Sequence, residues 1–246
     1  TYSAATALIW IASIWVPQPA QYFVWAATIV IEIALLGIRR VGGLRLLMDQ
    51  MALDHLAERM GLFTLIVLGE SLIVTVTGVS DQWTAIVGAT AVLGFVLIGS
   101  IAWTFLIQTT VAIEHGLRGL RERRDARGMR DTVMYLPYFL VVGITLLSTG
   151  LGTAVSHPEH PLPIGAAVAL GGGLGLYYVT NLVVGMRYGQ LTVGALVWTL
   201  ASAAVALLLI PVSSLISAIV AVAWAAVIVV ANVVFANVKR AALSGL

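Results

Sequence analysis

The sequence contains no cysteine and very little charge. None of its 246 residues is cysteine, and Asp, Glu, Lys and Arg together make up only 10% of the chain. The missing cysteine excludes disulfide frameworks, thiol nucleophiles and cysteine-ligated metal sites. Soluble globular domains carry about 25% charged residues, so this chain cannot cover a water-facing surface with charge. Soluble globular and disordered proteins are therefore excluded.

Long apolar runs dominate what is present. Hydrophobic residues make up 60% of the chain, and the mean hydropathy is +1.02. Most of the runs are long enough to cross a bilayer as helices, and none shows the alternation of a membrane β-barrel. We predict an all-α, polytopic transmembrane helix bundle with about eight spans, forming a single domain over 1–246: 2–16, 21–38, 60–79, 84–108, 132–154, 163–186, 190–210 and 212–238. Because the first run is short, we expect native sequence before Thr1.

All basic residues fall on alternate connections between these spans. The ionisable residues of the opposite connections are Asp81, His157, Glu159 and His160, none of which is Lys or Arg. By the positive-inside rule, the basic side is cytoplasmic, and both termini of the chain lie there. The net charge of +2 therefore reflects topology, and we expect no nucleic-acid partner. The basic residues are Arg39, Arg40, Arg45, Arg59, Arg118, Arg121, Arg123, Arg124, Arg127, Arg130, Arg187, Lys239 and Arg240.

The cytoplasmic connection 109–131 is rich in arginine. Acidic residues stand four positions from several arginines, as in Glu114 with Arg118 and Arg127 with Asp131, and such pairs stabilise a helix. We expect the fourth span to continue as a helix to about Gly128. The connection is interpreted either as a docking surface for anionic lipid or as a solvated topology signal whose charges pair with each other.

Two carboxylates lie inside predicted spans, Glu32 in the second and Glu70 in the third. A carboxylate at membrane depth is costly and by default indicates function. We predict a pathway for a solute or ion through Glu70 and Glu32, with Ser71 and Thr77 beside it. The two carboxylates could share a proton or a cation. Alternatively, Glu32 pairs with Arg39 or Arg40 of its own helix.

The third span carries a stripe of small and hydroxyl residues at helical spacing. Such a stripe lets a neighbouring helix approach closely in lipid, whereas Glu70 lies on the opposite side. With two faces to bury, this span is expected to be central in the bundle. Gly171 and Gly175 of the sixth span have GxxxG spacing, which favours close helix contact, with a local helix break as the alternative. Asn181 is expected to hydrogen-bond between helices, whereas Asn232 is expected to be structural. The stripe consists of Gly61, Thr64, Leu68, Ser71, Thr75 and Gly78.

His55, Glu58 and Arg59 form an ionisable cluster at the cytoplasmic end of the third span. His55 and Glu58 could ligate a metal from one face, but no second histidine follows and Arg59 offers an ion pair, so we predict no metal site. The sequence contains no P-loop, G-x-S-x-G or H-E-x-x-H pattern. We therefore expect no enzymatic activity; a lipid-acting enzyme at this cluster would lack a nucleophile.

The segment HLAERMGLFTLIVLGES, 55–71, resembles the signature of the bacterial low-temperature-requirement A (LtrA) family. The resemblance implies a multi-pass protein of the bacterial inner membrane, of which this chain looks like the later part. The family name records a growth phenotype and supplies no substrate. The resemblance marks His55, Glu58, Arg59, Gly61, Phe63, Gly69, Glu70 and Ser71, with Gly69 added to the candidate packing positions.

Two functions follow from these features. The first is transport of a small solute or ion by means of the membrane carboxylate. The alternative is a non-catalytic scaffold or accessory subunit that binds lipids, pigments or partner proteins. We expect no cofactor. The expected partners are the lipid bilayer, bound lipid, and further copies of the chain or other subunits of a membrane complex.

Overall fold

A computed structural model describes residues 2–38, 52–79, 83–106 and 110–244. These residues form helices and no named strand, which confirms the predicted all-α class. The chain divides into two compact units, Thr1–Leu46 and Leu47–Leu246. The sites described below lie in the second unit, apart from Glu32, which belongs to the first.

The described residues of the first unit form two apolar helices, α1 (Tyr2–Ala12) and α2 (Ala20–Ile38), with a 3₁₀ turn at Ser13–Trp15 between them. The Nε1 of Trp25 donates a hydrogen bond of 2.8 Å to the Oγ of Ser13. The ring of Trp25 also lies 6.3 Å from that of Trp10. These contacts hold α1 and α2 together.

Within the part of the second unit that the structure describes, six helices are long and apolar enough to cross a membrane: His55–Thr77, Ala85–Thr104, Ala126–Ser156, Ile164–Tyr188, Val193–Val212 and Ala218–Val238. Shorter apolar helices occupy Ala5–Trp15 and Ala20–Glu32. The predicted apolar segments therefore all reappear as helices, while the count of eight spans stays a prediction. The elements of this unit are α3 (Leu53–Thr77), α4 (Ala85–Thr104), α5 (Thr110–Glu122), α6 (Ala126–Arg130), α7 (Leu136–Ser156), α8 (Ile164–Ala167), α9 (Gly173–Tyr188), α10 (Val193–Val212) and α11 (Ala218–Ser244).

The π-helical turns Asp131–Tyr135 and Val168–Gly172 interrupt long helices. The first joins α6 to α7 and the second joins α8 to α9, so each pair forms one nearly continuous helix. Each π turn changes which face the following residues present, because it accommodates one more residue per hydrogen-bonded ring than an α-turn.

The Arg-rich connection does not continue as one helix to Gly128. Helix α5 ends at Glu122, Arg124 adopts a left-handed φ of 52°, and the side chain of Asp125 caps the next helix by accepting a hydrogen bond from the Gly128 N–H. Arg118 does pair with Glu114, as predicted. Helix α5 buries an apolar face consisting of Ile113, Leu117 and Leu120. The connection is therefore a packed amphipathic helix as well as a charged surface.

Helices α7 and α9 meet along a seam of glycines. A Cβ at Gly143 would lie 3.0 Å from the carbonyl oxygen of Gly173, and one at Gly173 would meet the backbone of Leu147. A Cβ at Gly150 would lie 2.5 Å from the amide nitrogen of Leu170. Glycine therefore allows the two backbones to touch. This is the close approach that small residues provide between membrane helices.

The predicted glycines of the sixth span also face a neighbouring helix. A Cβ at Gly171 would lie 2.7 Å from the carbonyl oxygen of Ala206, and one at Gly175 would lie 3.0 Å from Cδ2 of Leu207. Both neighbours belong to α10. The helix that contains this glycine run thus packs on α7 with one side and on α10 with another.

The stripe of small residues on α3 is a packing face. Gly61 and all four non-glycine members of the stripe are buried, and a Cβ at Gly78 would lie 3.1 Å from the carbonyl oxygen of Gly152. Gly69 is not a packing position, because a Cβ there would meet nothing within 4 Å. Each residue of an α-helix is rotated by about 100° from the one before it. Gly69 therefore lies about 100° around the helix from Leu68 and off the stripe.

Within the second unit, α3 is not the central helix. Of its most apolar stretch, 28% is buried, against 61% for Ile164–Tyr188. Helix α7 contacts α3, α4, α9 and α11, so α7 and α9 form the centre of the second unit. Helix α3 buries one face and leaves the face with Phe63 and Ile66 exposed.

The two ends of the second unit differ in chemistry. At one end, the Nη2 of Arg187 lies 2.9 Å from Oδ2 of Asp131, and Arg130 lies 3.1 Å from the same carboxylate. At the other end, the loop with Pro158 and His160 accepts backbone hydrogen bonds from the start of α11. The arginines described at the first end match the predicted segregation of charge, although sidedness in a membrane stays a prediction.

Candidate functional site

A cavity of about 430 Å³ lies between α9, α10 and α11, with further walls from α4 and α5. Along α9 it reaches from Tyr177 to the end of the helix, where Gln190 also lines it. This distance is about three helical turns, or about 16 Å, and so corresponds to about half of the bilayer core. Among the described residues that line this cavity, none is Asp, Glu, Lys, Arg or His.

Three tyrosines of α9 form one wall of the cavity. Tyr177 and Tyr178 meet edge to face, with ring centroids 5.4 Å apart. Tyr178 and Tyr188 are each only 5% exposed, and within the described part of the chain their hydroxyls have no hydrogen-bond partner. A buried hydroxyl without a partner costs about 1–3 kcal/mol. These two groups are therefore unusual and need an explanation.

Two asparagines, Asn181 and Asn232, also line the cavity, and their side-chain N–H groups donate hydrogen bonds to other protein atoms. The Nδ2 of Asn232 donates to Ser202 Oγ at 2.9 Å and to the carbonyl oxygen of Ile228 at 2.7 Å. The Nδ2 of Asn181 donates to the carbonyl oxygen of Tyr177 at 2.8 Å. The Asn232–Ser202 bond joins α10 to α11, as expected of an amide between membrane helices. Asn181 bonds within its own helix instead.

A stacked aromatic pair completes the wall on the α10–α11 side. The rings of Trp198 and Phe235 are 4.6 Å apart and inclined by 17°. Leu182 and Leu191 add aliphatic surface. The cavity is open on this side, because Trp198 and Phe235 are 36% and 37% exposed. Its walls combine apolar and aromatic surface with a few uncharged polar groups, which is the composition of small-molecule sites in proteins.

A much smaller cavity of about 30 Å³ adjoins the large one and shares Asn181 and Tyr188 with it. Thr64, Thr132 and Thr180 also line it. This volume is about the share of one water molecule. The polar lining makes it suited to a single water between α3, α5, α7 and α9.

Glu70 does not line the large cavity. Its side chain is exposed, on the same face of α3 as Phe63 and Ile66. Ser71 is buried on the packing side and donates to the carbonyl oxygen of Val67 at 3.0 Å, and Thr77 bonds to the carbonyl oxygen of Val74. The structure therefore separates these three predicted pathway residues and does not gather them at one polar site.

Glu32 is half-buried on α2 of the first unit. Its predicted partners Arg39 and Arg40 lie outside the described residues. Because Glu32 and Glu70 belong to different units, sharing of a proton or cation between them stays a prediction.

The cluster at the start of α3 is open to solvent. Nδ1 of His55 lies 3.7 Å from Oε2 of Glu58, and their side chains are 78% and 68% exposed. Arg59 is also exposed. In the ranges that the structure describes, no group of three or more His, Cys, Asp or Glu is placed to hold a metal ion.

Asp131 has different partners from the one predicted. Its carboxylate pairs with Arg130 and Arg187, whereas the helical spacing predicted Arg127. The backbone N–H of Asp131 still bonds to the carbonyl oxygen of Arg127, so the α-helical spacing is kept and only the side-chain partner differs. The Nη2 of Arg123 also donates to the carbonyl oxygen of Arg187 at 3.3 Å. These contacts fix the end of α9 directly beside Tyr188.

Sequence reasoning singled out Asn181 and Asn232 but did not recognise the cavity. A usable signal exists within α9, because Tyr177, Asn181 and Tyr188 fall within about 40° of one another around a helix. Uncharged polar and aromatic residues on one face at membrane depth indicate a site when a neighbouring helix leaves space there. That space depends on α10 and α11 and cannot be read from α9 alone.

Comparison with known families decides the affiliation of the chain. Residues 1–234 match the family described as Bacterial low temperature requirement A protein (LtrA). The chain belongs to this family. The resemblance noted at 55–71 is thereby confirmed, and the LtrA match together with the apolar helices makes this a multi-pass membrane protein. Comparison with the curated proteins and with the solved structures found no match.

Proposed function

We propose that this LtrA family member is a non-catalytic protein of the bacterial inner membrane that holds a small molecule within the bilayer. The molecule occupies the cavity between α9, α10 and α11. In this arrangement the chain crosses the membrane about eight times, with both termini and the arginine-rich end in the cytoplasm. Such a protein would act as an accessory or carrier for the bound molecule.

The observation that carries the proposal is the cavity itself. Its volume of about 430 Å³ falls in the range of about 300–1,000 Å³ that is typical of ligand sites. It lies next to the α7–α9 seam, where glycines bring two backbones into direct contact. A concave space of this size, with apolar walls and a few polar groups, favours a bound molecule.

The test is to identify what copurifies with the protein. The full chain, purified from bacterial membranes in a mild detergent, is extracted with organic solvent and the extract is analysed by mass spectrometry. Ala195→Phe fills the cavity, since Ala195 lines it. Val197→Phe is the matched control, because Val197 lies on the same helix but is 61% exposed.

We expect a small molecule in about equimolar amount with the wild-type protein and with Val197→Phe, and its loss from Ala195→Phe. The same extract from all three proteins would contradict the proposal. Thermal unfolding of each purified protein checks that Ala195→Phe still folds.

A second function is favoured by one observation, the exposed carboxyl of Glu70. It lies seven residues, or about 10 Å, before the end of α3 at Thr77, and apolar neighbours such as Ile66 and Ile73 are also exposed. A carboxylate on an apolar membrane face costs about 2.5–3.5 kcal/mol on insertion scales. We propose that Glu70 carries a proton across the membrane.

Proton flux tests this second function. Proteoliposomes with an internal pH-sensitive dye are given a potassium diffusion potential, and acidification of the lumen is followed. We expect acidification with the wild-type protein, its loss with Glu70→Gln, and its retention with Glu58→Gln, which changes an exposed carboxylate at the end of the same helix. Equal rates for wild type and Glu70→Gln would remove Glu70 from any proton pathway.

A further inference from the structure

We infer that the cavity takes an uncharged, largely apolar ring compound with carbonyl oxygens, and that the hydroxyls of Tyr178 and Tyr188 donate hydrogen bonds to those oxygens. The inference rests on the proposed function, because both use the same cavity. It adds the chemical class of the ligand and the residues that recognise it.

The lining excludes a charged ligand. Among the described residues that line the cavity, none is Asp, Glu, Lys, Arg or His. An ion bound there would therefore have no counter-charge. An isolated charge in a low-dielectric interior is strongly disfavoured. The carboxylate of Asp131 does not line the cavity, and its charge is already paired with Arg130 and Arg187. It is therefore not a counter-charge for a ligand in the cavity.

The unsatisfied groups in the wall are donors. The hydroxyls of Tyr178 and Tyr188 are buried and lack a partner within the described residues, whereas Asn232 uses both N–H groups of its amide inside the protein. A ligand that satisfies the O–H donors of these hydroxyls must accept hydrogen bonds. A carbonyl oxygen does so without carrying charge.

An unpartnered hydroxyl is not unique to this wall, because Tyr135 and Ser148 also have one. The difference is position. Tyr178 and Tyr188 both line the same cavity, whereas neither Tyr135 nor Ser148 does. Tyr135 therefore provides a matched control, because its hydroxyl is also buried without a partner among the described residues but does not line the cavity.

The remaining wall fits a flat apolar body. Trp198 and Phe235 are stacked, and Tyr177 meets Tyr178 edge to face. Aromatic side chains contact ring ligands favourably through offset and edge-to-face arrangements. Leu182 and Leu191 cover part of the rest with aliphatic surface.

Three probes with similar ring systems and different chemistry test the inference. Menadione is an uncharged naphthoquinone with two carbonyl oxygens, 2-methylnaphthalene lacks the carbonyls, and 2-naphthoate carries a negative charge. The full chain in lipid nanodiscs is titrated with menadione while tryptophan fluorescence is followed, with empty nanodiscs correcting for partition into lipid. The other two probes are measured by their displacement of menadione.

We expect menadione to quench the fluorescence saturably, with most of the effect lost in Trp198→Phe. 2-Methylnaphthalene should bind at least about fivefold more weakly than menadione, and 2-naphthoate should not displace it. Tyr178→Phe and Tyr188→Phe should each weaken menadione about five- to tenfold without changing the affinity for 2-methylnaphthalene. Tyr135→Phe should change neither affinity.

Different outcomes separate this inference from the proposed function. Equal affinity of menadione and 2-methylnaphthalene, displacement by 2-naphthoate, or unchanged menadione affinity in both tyrosine variants would overturn the ligand class while leaving a binding cavity. Saturable quenching that persists in Trp198→Phe would place the binding elsewhere and overturn the inference. No binding of any probe, together with no copurified molecule, would overturn both.

Discussion

The ring of Tyr188 packs against the backbone of Gly116, in the space that a side chain at position 116 would occupy. This contact joins α5 to the end of α9. Ile113, one turn earlier on α5, lines the cavity together with Tyr188. The amphipathic helix α5 therefore supports the proposed ligand site.

We predict that Gly116→Ala destabilises the protein and weakens menadione binding. The new Cβ meets the Tyr188 ring, which must move, and overpacking of this kind costs about 1–3 kcal/mol. Thermal unfolding and the fluorescence titration measure the two effects. Gly119→Ala is the control on the same helix, because a Cβ at Gly119 meets nothing within 4 Å and alanine favours the helix by about 1 kcal/mol. Equal effects of the two substitutions would contradict the importance of this contact.

The α7–α9 seam predicts a large effect of adding one methyl group. In Gly173→Ala, the new Cβ would lie 2.7 Å from the carbonyl oxygen of Gly143 and would also meet the amide nitrogen of Leu147. These are backbone atoms, which cannot move away by a change of rotamer as a side chain can. We expect a loss of at least about 2 kcal/mol in the free energy of unfolding, measured by thermal unfolding in detergent.

Gly69→Ala is the informative comparison for the seam. Gly69 belongs to the LtrA-like segment, yet it lies on no helix contact. We expect its unfolding temperature to equal or exceed that of the wild type, since alanine is the better helix former. A loss as large as that of Gly173→Ala would show that the face of α3 beyond the stripe is also tightly packed.

The ion pair at the arginine-rich end predicts a modest effect on stability. Asp131→Asn weakens the pairs with both Arg130 and Arg187. Solvent screens the pair with Arg187, which is 46% exposed, but Arg130 is only 20% exposed, so we expect a loss of about 1–3 kcal/mol. Unfolding should be compared at low and high salt, where the difference from wild type should shrink with screening. Glu159→Gln, an exposed change in the loop at the other end, should have no effect; a salt-independent difference for Asp131→Asn would exclude the electrostatic explanation.

The sequence predicts the helices well because each apolar run carries its own signal of length and composition. The stripe on α3 could be read in the same way, since the periodicity from Thr64 to Thr75 lies within one helix. The cavity could not, because it depends on how α9, α10 and α11 meet. The π turn at Asp131 also escaped prediction. So did the ion pair of Asp131 with Arg187, because it joins residues that are distant in the sequence, whereas helical spacing offers only neighbours such as Arg127.

The missing cysteine makes the predicted topology directly testable. Because the chain has no cysteine, one introduced residue reports its own location through a membrane-impermeant maleimide. Glu159→Cys and Glu122→Cys are suitable, because both side chains are exposed at opposite ends of the second unit. By the positive-inside rule, we expect labelling of Glu159→Cys in intact spheroplasts and labelling of Glu122→Cys only after the membrane is opened. The reverse pattern would invert the topology, and labelling of both in intact spheroplasts would show that the number of spans between them is even.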